Sequence, residues 1–240
     1  MNKGRWHLGF LYPGYSAEDD YPRIETMIDP PVQISVAHTT IGEDAHREDA
    51  LLEIGSGWRL QEGAAELKRR GVDAAMWACT SGSFVFGVDG ARRQAKAIEE
   101  FLGAPVSSTS LAFVDALDAI GARTVAVAAT YPLDIAALFE KFLADCGIRV
   151  TQVSGLGIIT AVESASLGRE QVISLATANN HSDADAVLLP DTALHTVAWL
   201  DALEKACGKP VLTANQVTVW QALRLAGHPT KQDGLGRLFL

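Results

Sequence analysis

Short apolar runs alternate along this chain with longer stretches in which apolar residues recur every three or four positions. His7 to Tyr12 is apolar enough for a buried strand and stops at Pro13-Gly14. Ser16 to Met27 is acidic and begins a short helix after that turn. Val32 to His38, with its β-branched residues, predicts a second strand. From Glu43 to Arg70, Leu51, Leu52, Ile54, Leu60, Ala64, Ala65 and Leu67 fall at helical spacing, and Gly55 and Gly57 split the stretch into two helices. Gly71 closes the second, and an apolar strand around Met76 follows. Gly90 to Phe101 predicts a helix, Pro105 to Ser108 a short strand, and Leu111 to Ile120 a helix ended by Gly121. Alternation of this kind predicts a parallel sheet with right-handed crossovers.

The second half restarts the pattern. Thr124 to Ala129 reads as a strand running into Tyr131-Pro132, as the first runs into Tyr12-Pro13. Leu133 to Asp145 is helical, Arg149 to Ser154 a strand, Gln171 to Asn179 a helix, Ala186 to Leu189 a strand and Trp199 to Ala206 a helix. Gly155-Leu156-Gly157 reads as a loop. The segment Gly103-Ala104-Pro105-Val106-Ser107-Ser108-Thr109 is then echoed by Gly208-Lys209-Pro210-Val211-Leu212-Thr213-Ala214. The helix after it, Phe113 to Gly121, is echoed by Val219 to Gly227. Internal repetition fixes architecture before anything else does. The expectation is an α/β protein of two pseudo-symmetric lobes, each a mainly parallel sheet flanked by helices. Lobe one takes 1–114, with about 228–240 able to return to it, and lobe two takes 115–227; a cleft between them holds the site. Coincidence between two ordinary βαβ segments is the alternative.

The chemistry concentrates where one apolar run stops, at Cys79-Thr80-Ser81-Gly82. In open α/β sheets ligands bind just beyond the carboxyl ends of strands, and hydroxyls with turn amides there can hold an anion. A packed structural cysteine ahead of a polar helix cap is the plainer explanation. The repeat adds a demand, because the equivalent strand of lobe two, Ala186 to Leu189, runs into Pro190-Asp191-Thr192. Asp191-Thr192 therefore stands where Cys79-Thr80 stands in lobe one, and the two strand ends face each other across the cleft. Tyr12 and Tyr131, at the ends of the first strands, flank it. Asp191 also suits a helix N-cap, and either tyrosine suits simple packing.

Composition narrows the partners. The 240 residues are 48% hydrophobic and carry a formal charge of −9, which argues against nucleic acid or an anionic membrane. Three cysteines do not make a disulfide scaffold, and no metal-ligand or nucleotide-binding spacing occurs. The six histidines are scattered, and none stands at a strand end matching that of Cys79. With no signal peptide or bilayer-length apolar run, the expected compartment is the cytoplasm. A homo-oligomer is compatible with all of this.

The Cys79-Thr80-Ser81 turn, the Tyr131 strand end, the Leu188-Leu189-Pro190-Asp191 turn with Gly208 and Pro210 beyond it, and the tail from Gly234 to Phe239 together resemble the maleate isomerases and arylmalonate decarboxylases of the Asp/Glu racemase superfamily. The resemblance spans most of the chain. It implies two lobes enclosing a small carboxylic or dicarboxylic acid, with no metal or organic cofactor. It places carboxylate binding and enediolate stabilisation on Thr80, Ser81 and Tyr131; Tyr12, from its strand end, is a candidate orienting group, and Thr192, beside Asp191, a further candidate for substrate binding. Racemases and maleate isomerases use a cysteine from each lobe, and arylmalonate decarboxylases keep only the second. This chain departs from both patterns: it has the first-lobe thiol and carries Asp191 at the second position. One thiol suits one-sided chemistry, so the expectation is decarboxylation or cis–trans isomerisation through Cys79, with Asp191 as acid, base or orienting group. A racemase with Asp191 in place of the second thiol and a small-acid binding protein without turnover are the alternatives. A cysteine hydrolase is weaker, for want of a histidine beside the thiol.

Overall fold

The computed structural model describes residues 5–240. Its strands are β1 (Trp6–Pro13), β2 (Val32–Thr39), β3 (Ala74–Trp77), β4 (Val106–Ser108), β5 (Thr124–Ala129), β6 (Arg149–Gly155), β7 (Ala186–Leu189) and β8 (Val211–Thr213). Among the described residues they form two four-stranded sheets, ordered β2-β1-β3-β4 and β6-β5-β7-β8. Every pairing is parallel. Helices cover these sheets, which is why the central strands β3 and β7 are apolar and buried at every position.

Most predicted elements lie where the hydrophobic pattern put them. The helix Leu133–Asp145 and the strand Ala186–Leu189 have the expected bounds. The stretch after β2 does break into Glu48–Ile54 and Gly57–Arg70, with Gly55 between them and Gly71 ending the second at φ 70°. That left-handed cap needs a residue without a Cβ. The acidic stretch after β1 shrinks to the helix Asp20–Glu25. A short helix, Ala161–Ala165, was not anticipated.

Register tests the repeat. Ala75 pairs with Val106 in the first sheet and Val187 pairs with Val211 in the second, so the echoed Pro-Val strands make Ala75 and Val187 equivalent. Four residues on from each stand Cys79 and Asp191. The tyrosines behave differently. Gly9 pairs with Ala75 and Ala126 with Val187. Tyr12, three residues past Gly9, therefore matches Ala129, and Tyr131 lies two residues further along. The Tyr-Pro echo is a likeness of sequence and not of position.

The lobes interlock. The helix Ala214–Leu225 follows β8 of the second sheet, yet it packs on β3 and β4 of the first and along the helix Thr109–Ala119. Hydroxyl contact between Thr109 and Thr218 (2.7 Å) and the bond from Gln221 Nε2 to Asp115 Oδ2 (2.7 Å) fix that helix pair. The C-terminal segment touches both halves. His228 stacks on Trp6, and Gln216 Nε2 donates to the Leu235 carbonyl at 2.7 Å. One large core cluster draws residues from both sheets.

Candidate active site

Cys79 leaves the end of β3 and enters the short helix Ser81–Phe84, and its turn is held from behind. Gly82 N donates to Cys79 Sγ at 3.3 Å, and Ser81 Oγ lies 3.8 Å from the sulfur. The Gly82 carbonyl accepts from Trp77 Nε1 at 3.2 Å and from Gln94 Nε2 at 3.0 Å, and the same Gln94 amide reaches the Gly55 carbonyl. Gly55 is so close that a Cβ there would stand 2.2 Å from the Gly82 carbonyl oxygen. A rigid turn on a rigid strand places the thiol.

Asp191 leaves the end of β7 in the same manner. Its Oδ2 accepts a short hydrogen bond from Thr130 Oγ1, and its Oδ1 accepts from Ala193 N at 2.9 Å. The carboxylate thus caps a turn, where the sequence also allowed a helix cap, and both oxygens already have a donor. Its side chain still reaches the cleft. A cavity of about 590 Å³ is lined by both Cys79 and Asp191, with Tyr12 and Thr192 also on its wall.

Thr80, Ser81 and Tyr131, expected to bind carboxylate, are buried beside this cavity and do not line it. Tyr131 donates to the Pro190 carbonyl at 2.7 Å. Thr80 Oγ1 is buried and makes no hydrogen bond of good geometry among the described residues. It lies near the Tyr131 hydroxyl and partly opposes the rise in that phenol's pKa, which burial drives well above the ordinary value with help from Asp191 and Cys79. Tyr12 is a cross-lobe tie: its hydroxyl contacts Ser16 Oγ at 2.6 Å and the Thr192 carbonyl at 3.0 Å.

Burial pushes the Cys79 thiol up to about 11, and the negative charge of Asp191 acts in the same direction against the Gly82 and Ser81 hydrogen bonds. At neutral pH the sulfur keeps its proton. The cavity wall is chiefly apolar, with Ile41, Leu51, Ile54 and Val162 on it, and among the described residues no arginine or lysine lines it.

Two loops that sequence reading passed over complete the wall. One follows β2 and carries Asp44 and His46; the other follows β6 and leads into the helix Ala161–Ala165, whose first residues Ala161 and Val162 reach the wall. They are joined across the lobes. Asp44 accepts from Ala161 N at 2.8 Å and Val162 N at 3.3 Å, His46 N donates to the Ile159 carbonyl at 2.6 Å, and His46 Nδ1 lies 3.0 Å from the Ile158 carbonyl oxygen. The His46 ring also stands edge-on to Tyr131, 4.7 Å between centroids. The repeat held the one available signal: β2 and β6 are equivalent strands, so the loops after them had to meet.

Among the described residues the strand end that matches that of Cys79 carries Asp191 and no histidine, but His38 comes near the site. It lies near the end of β2 on the cavity wall. Its Nε2 faces Glu18 Oε1 at 3.4 Å and its ring stacks on Tyr15. Because β1 lies between β2 and β3, two strand spacings, about 10 Å, separate it from the thiol's strand, too far for direct activation. Among the described residues no helix is long and apolar enough to cross a membrane, and no group of three or more His, Cys, Asp or Glu is placed to hold a metal.

A family model described as arylmalonate decarboxylase matches residues 57–239. The arylmalonate decarboxylase of Bordetella bronchiseptica is 31% identical over 80% of this chain and 79% of its own length. The maleate isomerase of Alcaligenes faecalis is 29% identical over 63% of this chain and 60% of its own. Among solved structures, a double mutant of arylmalonate decarboxylase in the liganded form is 25% identical and superposes with a TM-score of 0.85, covering 98% of both chains.

Proposed function

The chain belongs to the arylmalonate decarboxylase family of cofactor-independent enzymes, and from that premise we propose that it decarboxylates a malonic acid bearing an apolar substituent, with Cys79 as proton donor. The observation that supports this reading is a buried thiol and a carboxylate on the wall of one chiefly apolar cavity, where burial and the carboxylate both favour the protonated sulfur. The bond between the α-carbon and one carboxyl group breaks, CO2 leaves, and its electron pair stays behind as an enediolate. The Cys79 S–H proton then passes to the α-carbon, and the thiolate is reprotonated from water. Thr80 Oγ1, Ser81 Oγ and the Tyr131 hydroxyl, buried just behind the cavity wall, serve the enediolate oxygens once bound substrate draws them to it, Tyr131 giving up its bond to the Pro190 carbonyl. An apolar wall without a lysine or arginine gives the departing carboxylate no cationic partner, and as neutral CO2 leaves the negative charge passes to the enediolate.

Isomerisation by thiol addition to an alkene would need the thiolate, which at a pKa of about 11 is only about one part in 10^4 at pH 7. Racemisation would need Asp191 as a base, and both of its oxygens already accept hydrogen bonds. Decarboxylation asks for neither.

The test is incubation with phenylmalonate, alkylmalonates, maleate and a racemisable 2-arylpropionate in D2O, followed by NMR and CO2 release. The reading expects CO2 from a substituted malonate, one deuterium at the product α-carbon, and loss of both in Cys79→Ala. Conversion of maleate to fumarate with no CO2 from any malonate would replace it with the isomerase reading. Binding without any conversion would leave a small-acid binding protein.

A further inference from the structure

Asp20 is a buried carboxylate that the chemistry above does not use. It opens the helix Asp20–Glu25 of the first lobe, is 2% exposed, and points into the second lobe. Its Oδ2 alone accepts three hydrogen bonds: from Thr196 N at 3.0 Å, from Val197 N at 3.3 Å and from Asn215 Nδ2 at 3.0 Å. Two of these donors are backbone amides at the end of the segment that Asp191 begins. The third donor has its own place secured, since Tyr21 of the same helix donates to Asn215 Oδ1 at 3.2 Å.

Other ties from the same stretch of the first lobe reach the same segment. Tyr12 donates to the Thr192 carbonyl, and His195 Nε2 lies 2.8 Å from Asp19 Oδ1. His195 Nδ1 stands 3.2 Å from the Ala165 carbonyl oxygen. The turn that carries Asp191 is therefore gripped at its near end by a phenol and at its far end by a carboxylate, both from the opposite lobe. A single oxygen taking three N–H donors is a demanding arrangement, since burial alone drives the Asp20 pKa upward and only those donors and the charge of His195 oppose it. The side chains facing it are His195, Asn215 and Tyr21. A serine or water could satisfy one amide at far lower cost.

We propose that Asp20 is a positioning residue that sets, across the cleft, where the Asp191 carboxylate stands relative to the Cys79 sulfur. It touches neither the cavity nor the reacting atoms; it acts through the segment 191–197. The inference rests on the reading that Asp191 faces Cys79 over the working cavity.

The thiol reports on the geometry directly, without turnover. In a Cys146→Ser, Cys207→Ala background Cys79 is the sole thiol, and its pKa follows from the pH profile of alkylation by iodoacetamide. Asp191→Asn removes the neighbouring charge and lowers that pKa. Asp20→Ala releases the segment and lowers it too, while Asp20→Asn, which keeps an oxygen acceptor for the amides, stays near the parent. Each unit of decrease appears as about tenfold more thiolate below the pKa. In the double variant Asp20→Ala, Asp191→Asn, the pKa equals that of Asp191→Asn alone, because the first change acts only through the second. Should Asp20→Ala fail to fold, Asn215→Ala removes one of the three donors and shifts the pKa the same way by less.

A folded Asp20→Ala or Asn215→Ala variant with the parent pKa overturns the proposal. So does a shift that persists undiminished in the Asp191→Asn background, which marks general loosening of the lobe. Absence of CO2 release by the parent enzyme would remove the decarboxylase reading and leave this outcome standing, since the thiol titration does not depend on turnover.

Discussion

Cys79 and Asp191 occupy the same register position in two sheets of identical strand order, and their side chains line one cavity. A pseudo-symmetric scaffold has thus been given two unlike groups, a thiol and a carboxylate. The carboxylate's charge reinforces burial in keeping the proton on sulfur. The site is therefore polarised: one face can donate a proton, and the other bears a negative charge with both oxygens occupied.

Replacing Cys79 by alanine removes the proton donor and little else, because its sulfur's hydrogen bonds, with Gly82 N and the neighbouring Ser81, are weak ones. Product formation falls by about 10^2 to 10^4, and the thermal midpoint moves by only a few degrees. CO2 release and a melting curve check both.

The raised thiol also ties stability to pH. The folded pKa of about 11 lies above the 9.0 of an ordinary cysteine thiol. Between those values the native state holds a proton that the unfolded chain has lost, so stability falls as pH climbs from 9 to 11. The loss is about 1.4 kcal/mol per unit of separation, and below pH 9 the contribution is complete. Urea titrations at pH 8 and pH 11, compared with Cys79→Ala, isolate it: the wild type loses more than the variant.

Tyr131→Phe deletes one hydroxyl with the ring left in place against His46 and Phe84. If that hydroxyl serves the enediolate, kcat falls by about 10^2 to 10^3 with little change in KM. The loss of the Pro190 hydrogen bond alone costs about 1 kcal/mol of stability. Steady-state kinetics separates the two roles.

Asp44→Ala cuts the tie between the two segments that wall the cavity and takes the acceptor from the first two amides of the helix Ala161–Ala165, leaving its N-cap Thr160 in place. A stability cost of about 0.5–2 kcal/mol follows. KM rises several-fold while kcat changes less, because the wall loosens and the thiol turn stays put.

Gly55→Ala drives a methyl group into the Gly82 carbonyl, the anchor of the cysteine turn. The clash costs about 1–3 kcal/mol. Its distinctive sign is activity lost beyond what unfolding accounts for, measured as turnover per folded molecule.

How far the sequence alone carried the reading follows from what each signal encodes. The strand Ala186–Leu189 and the helix Leu133–Asp145 were legible because burial on one face or both imposes a period. The equivalence of Cys79 and Asp191 was legible because the Pro-Val echo fixed a register for both halves. Tyr12 and Tyr131 misled for the opposite reason: a shared dipeptide at a strand end carries no register, and pairing sets them two positions apart. Asp44 and His46 fall at the start of the stretch read as helical from Glu43, Val162 falls on a helix too short to show a period, and what places them at the cavity is contact between segments about 117 residues apart in the chain. Asp20 was read only as part of an acidic stretch, since nothing local distinguishes a surface carboxylate from one that will meet three donors from the far lobe.

The helix Ala214–Leu225 carries one last implication. It is made last, after all eight strands, and it roofs a sheet made first. Until it arrives, β3 and β4 have an uncovered greasy flank, so a nascent or truncated chain ending before about residue 213 would be a sticky intermediate with the cysteine strand unprotected. Severed near residue 114, the two pieces should each be incomplete, and co-expression should restore a working molecule where neither fragment alone persists.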